Sequence, residues 1–320
     1  MSEVAVTAPL PGDALERLAR FHTVRVREAG PPLSATQLAA FVGNAEALIC
    51  LLADRVEALV FARCPRLEVV ANYAVGVNNV DLAAARAAGV WVTNTPDVLT
   101  EATADLTWAL ILAVTRRVVE GDALVRAGRF KCWGPDLMLG AGLQGKTLGI
   151  VGLGRIGAAV ARRGEAFGMR PLFTDPRGAA AADGRWPALP LDELLAQSDV
   201  LTLHCPLTPD TRHLLSAERL RLLPRGAVLI NTSRGEVVDE AALVEALAAG
   251  ALAGAGLDVY EREPAVHAGL LARPDVVLLP HLGSATRETR AAMANLAVDN
   301  ILAVLSGGVP ATVVVDPRKK

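Results

Sequence analysis

The chain has 320 residues, 52% hydrophobic and 21% charged, which allows two domains with substantial buried cores and argues against disorder. A formal charge of -2 offers no basic surplus for a phosphate backbone, so nucleic acid is not expected as a partner. Only 4% of residues are aromatic, leaving Ala, Val and Leu to fill the interior, as suits parallel sheets covered by helices.

The start, MSEVAVTAPL, lacks the basic stretch, apolar run and cleavage site of a signal peptide. No stretch approaches the ~20 uninterrupted apolar residues of a membrane span, so no membrane association is expected. Cys50, Cys64, Cys132 and Cys205 are far apart, with no paired spacing. That is neither a zinc site nor a disulfide framework; all four are expected as small core residues in a reducing cytoplasm, with no metal.

From the first residue, VAVTAPL, TVRVRE, ALICLL, LEVVANY and VWVTNT are predicted strands. Residues 13–20 and 81–88 between them have helical spacing. After Pro96 the pattern restarts. Thr100 is the expected N-cap, with Glu101 in the first turn, of a long helix reaching about Arg117, buried around residues 108–114. The loop KCWGPDLMLGAG leads to a second series of strands: TLGIVGLG, PLFTD, VLTLHC, AVLINTS, GAGLDV and VVLLPHLG. A last helix over about 284–306 precedes a short Gly-rich end. Strand and helix alternate throughout, which predicts an α/β protein with two doubly wound parallel-sheet domains. The expected division is 1–97 plus 286–320 against 98–285, and two crossings of one boundary imply a hinge.

Gly152-Leu-Gly154-Arg155-Ile156-Gly157 follows the apolar strand TLGIV and opens a helix. The first glycine permits the tight turn, the second admits a pyrophosphate to the backbone, and the third lets helix and strand pack closely. Amides and dipole at that helix start favour phosphate. Asp175 ends the next strand, about 20 residues on, where a carboxylate accepts both ribose hydroxyls of NAD and repels the extra phosphate of NADP. Arg177, two positions later, could contact that phosphate. NAD is the expected cofactor, with NADP as the alternative.

Three polar residues stand at the C-terminal ends of successive elements of the second series, where open parallel sheets bind ligands. Arg234 ends AVLINTSR, Glu263 follows GAGLDVYERE, and His281 ends VVLLP. Reducing a keto acid needs a hydride, a fixed cation for the carboxylate and a proton for the carbonyl oxygen. Arginine offers a permanently charged fork, histidine exchanges a proton near neutrality, and a glutamate beside it orients the ring and favours the imidazolium.

The stretches NYAVGVNNVDL, VTNTPDVLTEATAD, GKTLGIVGLGRIG, LINTSRGEVVDEAAL, GAGLDVYEREP and LLPHLGSAT together resemble the D-2-hydroxyacid dehydrogenase family over nearly the whole chain. Within it, NTPDVLTEATAD, CWGPDLMLG and HLGSATRETR are most similar to glyoxylate/hydroxypyruvate reductases. The resemblance implies a flavodoxin-like substrate domain and a Rossmann NAD-binding domain. It implies Arg234 as the substrate-orienting residue, His281 as the acid/base and Glu263 as its partner. Backbone amides at Val75 and Gly76 would bind the substrate carboxylate, and Ser284 would also line the substrate site. Thr103, Arg155, Ile156, Cys205, Pro206, Thr232, Ser233 and Gly283 match positions around the cofactor, and Asp258 would lie near the nicotinamide carboxamide. Trp133 matches a tryptophan that reaches a neighbouring subunit's active site, implying a homodimer.

Phosphite-oxidising members carry lysine where Val75 stands, and phosphoglycerate dehydrogenases often add a regulatory domain that is not evident here. NADP-preferring glyoxylate reductases tend to lack an acid at the Asp175 position. Two alternatives remain: a dehydrogenase for D-3-phosphoglycerate or another D-2-hydroxy acid, and a non-catalytic NAD(H)-sensing protein.

Overall fold

The computed structural model describes residues 1–319, which divide into two compact units. One comprises Met1–Leu99 with the chain from Ser284 onward; the other is Thr100–Gly283. The boundaries thus fall at 99/100 and 283/284, each two residues from 97/98 and 285/286.

In the first unit the chain alternates β1 (Glu3–Val6), α1 (Ala14–Ala19), β2 (Thr23–Val26), α2 (Ala35–Val42), β3 (Ala47–Cys50), α3 (Ala58–Arg63), β4 (Val69–Asn72), α4 (Leu82–Ala87) and β5 (Trp91–Thr93). The second unit opens with α5 (Thr100–Thr115) and α6 (Val118–Arg126). It continues with β6 (Thr147–Val151), α7 (Arg155–Ala166), β7 (Arg170–Thr174), α8 (Leu191–Gln197), β8 (Val200–Leu203), α9 (Ala217–Leu220), β9 (Ala227–Asn231), α10 (Glu240–Ala248), β10 (Leu252–Leu257), α11 (Ala268–Leu271) and β11 (Val276–Leu278). The first unit is completed by α12 (Arg287–Leu305) and β12 (Val313–Val315). All eleven strands expected from the apolar runs are present.

The first sheet has the order β12-β5-β4-β3-β1-β2, parallel except for β12, which pairs antiparallel with β5. Strands β3 and β4 are buried at every position, as expected of central parallel strands covered on both faces. The second sheet is parallel throughout, in the order β11-β10-β9-β8-β6-β7. A single-residue parallel bridge between Phe173 on β7 and Ala188 stands where a further strand would extend that edge. The order reverses between β6 and β8, so their C-terminal ends form the switch point at which open α/β sheets bind ligands. Two apolar clusters lie in this unit, one around Leu201, Leu229 and Leu243, the other around Ile111, Leu148 and Phe173.

Local chemistry accounts for many helix starts. Ser34 caps α2 in a capping box with Gln37, and Asp81, Asp239 and Thr286 cap α4, α10 and α12 through side-chain oxygens.

Three expectations are corrected. Thr100 is the first helical residue of α5 and not its N-cap, so the helix starts one residue early and stops at Thr115. Cys132 is exposed, since it lies in the loop after α6, whereas Cys50, Cys64 and Cys205 are buried. The Gly-rich end carries β12: VVV is too short to stand out as a strand until the open edge of β5 supplies its hydrogen bonds.

Candidate active site

The loop after β6 occupies the switch point of the second sheet. Gly152 has φ +89°, and a Cβ there would lie 2.7 Å from the backbone nitrogen of Cys205, which follows β8. A side chain at Gly157 would overlap the Gly152 carbonyl. Gly154 is the N-cap of α7 and brings no capping side chain, and a Cβ on it would project into open space. The loop therefore has the tight turn, the close helix contact and the free approach that a pyrophosphate requires, and the residues present fit a dinucleotide. Arg155 and Ile156 form the first turn of α7 behind it.

Asp175 follows β7, with its side chain only 8% exposed. One carboxylate oxygen accepts the Leu153 N–H at 2.9 Å, which ties the loop to β7. Arg177 closes on the same carboxylate with Nε at 2.8 Å from one oxygen and Nη2 at 3.0 Å from the other; Nη2 also donates to the Leu153 carbonyl. The Arg177 hydrogen bond, aided by the backbone donors, outweighs burial and lowers the Asp175 carboxyl to about 2. Arg177, named in the sequence as a possible contact for a 2′-phosphate, is thus paired to the acid.

At the opposite end of the same sheet edge, His281 has φ +56°, a left-handed conformation unusual for a residue with a side chain. Asp258, at the end of β10 and 1% exposed, holds it there. The Asp258 carbonyl accepts the His281 N–H at 2.9 Å, and its two carboxylate oxygens accept the N–H groups of Leu282 and Gly283 at 2.6 and 2.8 Å. Burial raises the Asp258 carboxyl, opposed by those two amides and by His281. Thr103 on α5 adds a bond from Oγ1 to the Gly283 carbonyl at 3.0 Å.

The His281 ring meets Glu263, with Nδ1 2.9 Å from Oε2. The other oxygen of Glu263 accepts the Tyr260 N–H at 3.1 Å, so both ends of the carboxylate are fixed. Burial alone would raise the Glu263 carboxyl; the hydrogen bond and charge of His281, with Tyr260 N–H and Arg234, overcome it and lower it. Because Nδ1 is engaged, Nε2 is the ring nitrogen left to exchange a proton.

Arg234 follows β9 and is partly buried. Asn231, 1% exposed, receives the Ser233 N–H and hydroxyl on Oδ1 and donates from Nδ2 to the Arg234 carbonyl. A side chain at Gly235 would overlap the Tyr260 carbonyl, so only glycine lets this turn pack against the segment carrying Glu263. Burial lowers the guanidinium, and the charges of Glu263 and Glu236 oppose that shift. Arg234, Glu263 and His281 are brought into one electrostatic neighbourhood.

Thr232 pairs with Thr107 across their hydroxyls at 2.9 Å, and the Pro206 carbonyl accepts from Thr211 at 2.7 Å. In the first unit, Val75 and Gly76 lie in the loop after β4, and Ser284 accepts from Arg290 Nε at 3.1 Å. Trp133 is 79% exposed in the loop after α6. Asp258 and Asn231 act here as backbone anchors, a role that their residue type does not announce; a polar residue at the end of a buried strand is the available signal.

The family model for the D-isomer specific 2-hydroxyacid dehydrogenase NAD-binding domain matches residues 108–283. Over 318 residues the chain is 45% identical to a glyoxylate reductase of Thermococcus onnurineus, covering 98% of this chain and 95% of that protein. It is 46% identical to one of Aeropyrum pernix, covering 97% and 95%. A Thermus thermophilus protein of known crystal structure superposes with TM-score 0.92 at 52% identity, covering 98% of this chain and all of that one. An NADPH-dependent glyoxylate/hydroxypyruvate reductase of Sinorhizobium meliloti, solved with NADP and malonate, gives TM-score 0.89 at 37% identity, covering 99% and 97%. With the nucleotide loop and the His–Glu pair in place, these likenesses over the full length make the chain a member of the D-isomer specific 2-hydroxyacid dehydrogenase family.

Proposed function

We propose that the protein reduces a small 2-keto acid, glyoxylate or hydroxypyruvate, to glycolate or D-glycerate, and catalyses the reverse oxidation. The observation that carries this reading is the His281–Glu263 pair at 2.9 Å with Arg234 beside it, on the same sheet as the nucleotide loop. Residues 152–157 would hold NAD(P)H, which would supply the hydride for the carbonyl carbon. His281 gives a proton from Nε2 to the carbonyl oxygen, while Glu263 holds the ring through Nδ1. Arg234 polarises the keto oxygen, and the main-chain amides of Val75 and Gly76 in the first unit form a seat for the substrate carboxylate. Ser284 lines the substrate, and Thr103, Cys205, Pro206, Thr232, Ser233, Asp258 and Gly283 line the cofactor. Asp175 accepts the ribose hydroxyls and gives NADH the advantage over NADPH.

The protein acts as a homodimer in the cytoplasm in this reading. Helix α6 has no buried residue, and Val118, Val119, Val125, Phe130, Trp133 and Leu139 are all exposed on it and in the loop that follows. Apolar side chains crowded on one segment favour burial against a second copy, and Trp133 would then reach the partner's substrate. The four unpaired cysteines suit a reducing compartment.

Substituting His281→Gln is expected to lower kcat/KM for glyoxylate by about 10²–10⁴, the usual contribution of a general acid. Turnover near wild type in an NADH absorbance assay would remove His281 from that role. Replacing Glu263→Gln removes the carboxylate that holds the His281 ring through Nδ1, so kcat/KM for glyoxylate should fall by about tenfold in the same assay. The Glu263 carboxyl is depressed in the folded protein, so its contribution to stability is full above the ordinary glutamate value of about 4.3 and fades as pH falls through the lower folded value. Acid melts should therefore separate wild type from Glu263→Gln above that range and converge below it. For the cofactor, Asp175→Asn should shift the NADH-to-NADPH ratio of kcat/KM toward NADPH by about tenfold, the equivalent of one charge-assisted hydrogen bond. Light scattering should give the mass of two chains; a monomer would remove the dimer and the role of Trp133.

A further inference from the structure

The substrate carboxylate seat named above consists of two main-chain N–H groups, and a main-chain group points only where its peptide plane is held. Among the described residues only the Glu263–Pro264 peptide bond is cis, so those joining residues 74, 75 and 76 are trans, with C=O and N–H directed oppositely. The carbonyl of Ala74 accepts the backbone N–H of Thr95 at 2.9 Å, which orients the Val75 N–H. The carbonyl of Val75 accepts Nδ2 of Asn94 at 2.8 Å, which orients the Gly76 N–H. Both carbonyls are thus drawn toward residues 94–95, and both amides face away from them.

A third bond closes the loop from its far side. Asn72, fully buried, donates from Nδ2 to the Gly76 carbonyl at 2.8 Å, and its Oδ1 accepts from Asn79 at 3.0 Å. Asn94 is itself anchored. Its carbonyl accepts from Thr312 Oγ1 at 2.6 Å, and Thr312 receives a bond from the buried Asn300 of α12 at 2.7 Å. The short antiparallel β12, which the chain reaches only after completing the other unit, starts directly beyond this anchor.

We infer that Asn94 is a positioning residue for substrate: its amide holds the Val75 carbonyl so that the Gly76 N–H stays aimed at the carboxylate of the keto acid. The inference rests on the reaction proposed above and adds a residue that touches neither cofactor nor the reacting atoms. Its signature is a defect in carboxylate binding that leaves the hydride step intact.

The test uses Asn94→Leu, which keeps the size and removes the donor, and Asn94→Asp, which replaces the donor with a second acceptor facing the Val75 carbonyl. Steady-state kinetics with glyoxylate are paired with inhibition by oxalate, a carboxylate that undergoes no turnover, and with fluorescence titration of NADH. In both variants the KM for glyoxylate and the inhibition constant for oxalate should rise about tenfold, as expected for one lost hydrogen bond. The kcat should stay within about threefold and the NADH dissociation constant should not move, whereas a general loss of folding would disturb all four. Either folded variant retaining wild-type KM and oxalate inhibition overturns the inference while leaving the proposed reaction standing. A wild-type protein that reduces no 2-keto acid overturns the reaction and this inference with it.

Discussion

A single buried carboxylate sets the geometry on which the chemistry depends. Asp258 ends β10 almost without solvent contact, and a carboxylate in that position is costly unless donors surround it. The amides of Leu282 and Gly283 provide them, while its own carbonyl takes the His281 N–H. Three bonds from three consecutive residues force the chain after β11 into a tight turn, and His281 occupies the left-handed region as a consequence. Such a conformation costs on the order of 1–3 kcal/mol and persists only where neighbouring bonds over-determine it. The same bonds fix the ring's base, so the Glu263 contact is made by two preorganised groups.

Glycine controls the second approach. Gly235 lets the turn after β9 meet the Tyr260 backbone, which brings Arg234 into the field of Glu263. Glu263 then faces two partners at once, the Arg234 guanidinium and the His281 ring. Its depressed pKa is the balance of burial against those charges. The charge distribution is matched to a substrate that carries one negative group and develops another as its carbonyl is reduced.

At the nucleotide loop the electrostatics have a different character. Asp175 has both oxygens occupied, by the Leu153 amide and by Arg177. Ribose hydroxyls arriving there would share or displace the guanidinium.

Much of this was legible in the order of residues. Apolar runs of strand length, separated by helical spacing, set out eleven of the twelve strands among the described residues, because parallel strands buried on both faces need continuous apolar sequence. The glycines at 152, 154 and 157 announced the nucleotide loop, since each answers a steric demand that other residues cannot meet. The strand-end positions of Arg234, Glu263 and His281 marked the candidate chemistry. Tertiary structure alone decided the rest. The strand Val313–Val315 forms because β5 leaves an edge unpaired, a fact absent from its own three residues. Asn231, Asn72 and Asn94 read as ordinary polar residues in sequence, and Asp258 was expected only beside the cofactor; each gained an anchoring role when folding set it opposite particular main-chain groups. Arg177 was drawn onto Asp175 by proximity and charge. Local pattern fixes which segments become elements, because it depends on neighbours a few residues apart; the direction of a hydrogen bond between distant segments depends on packing that no local pattern contains.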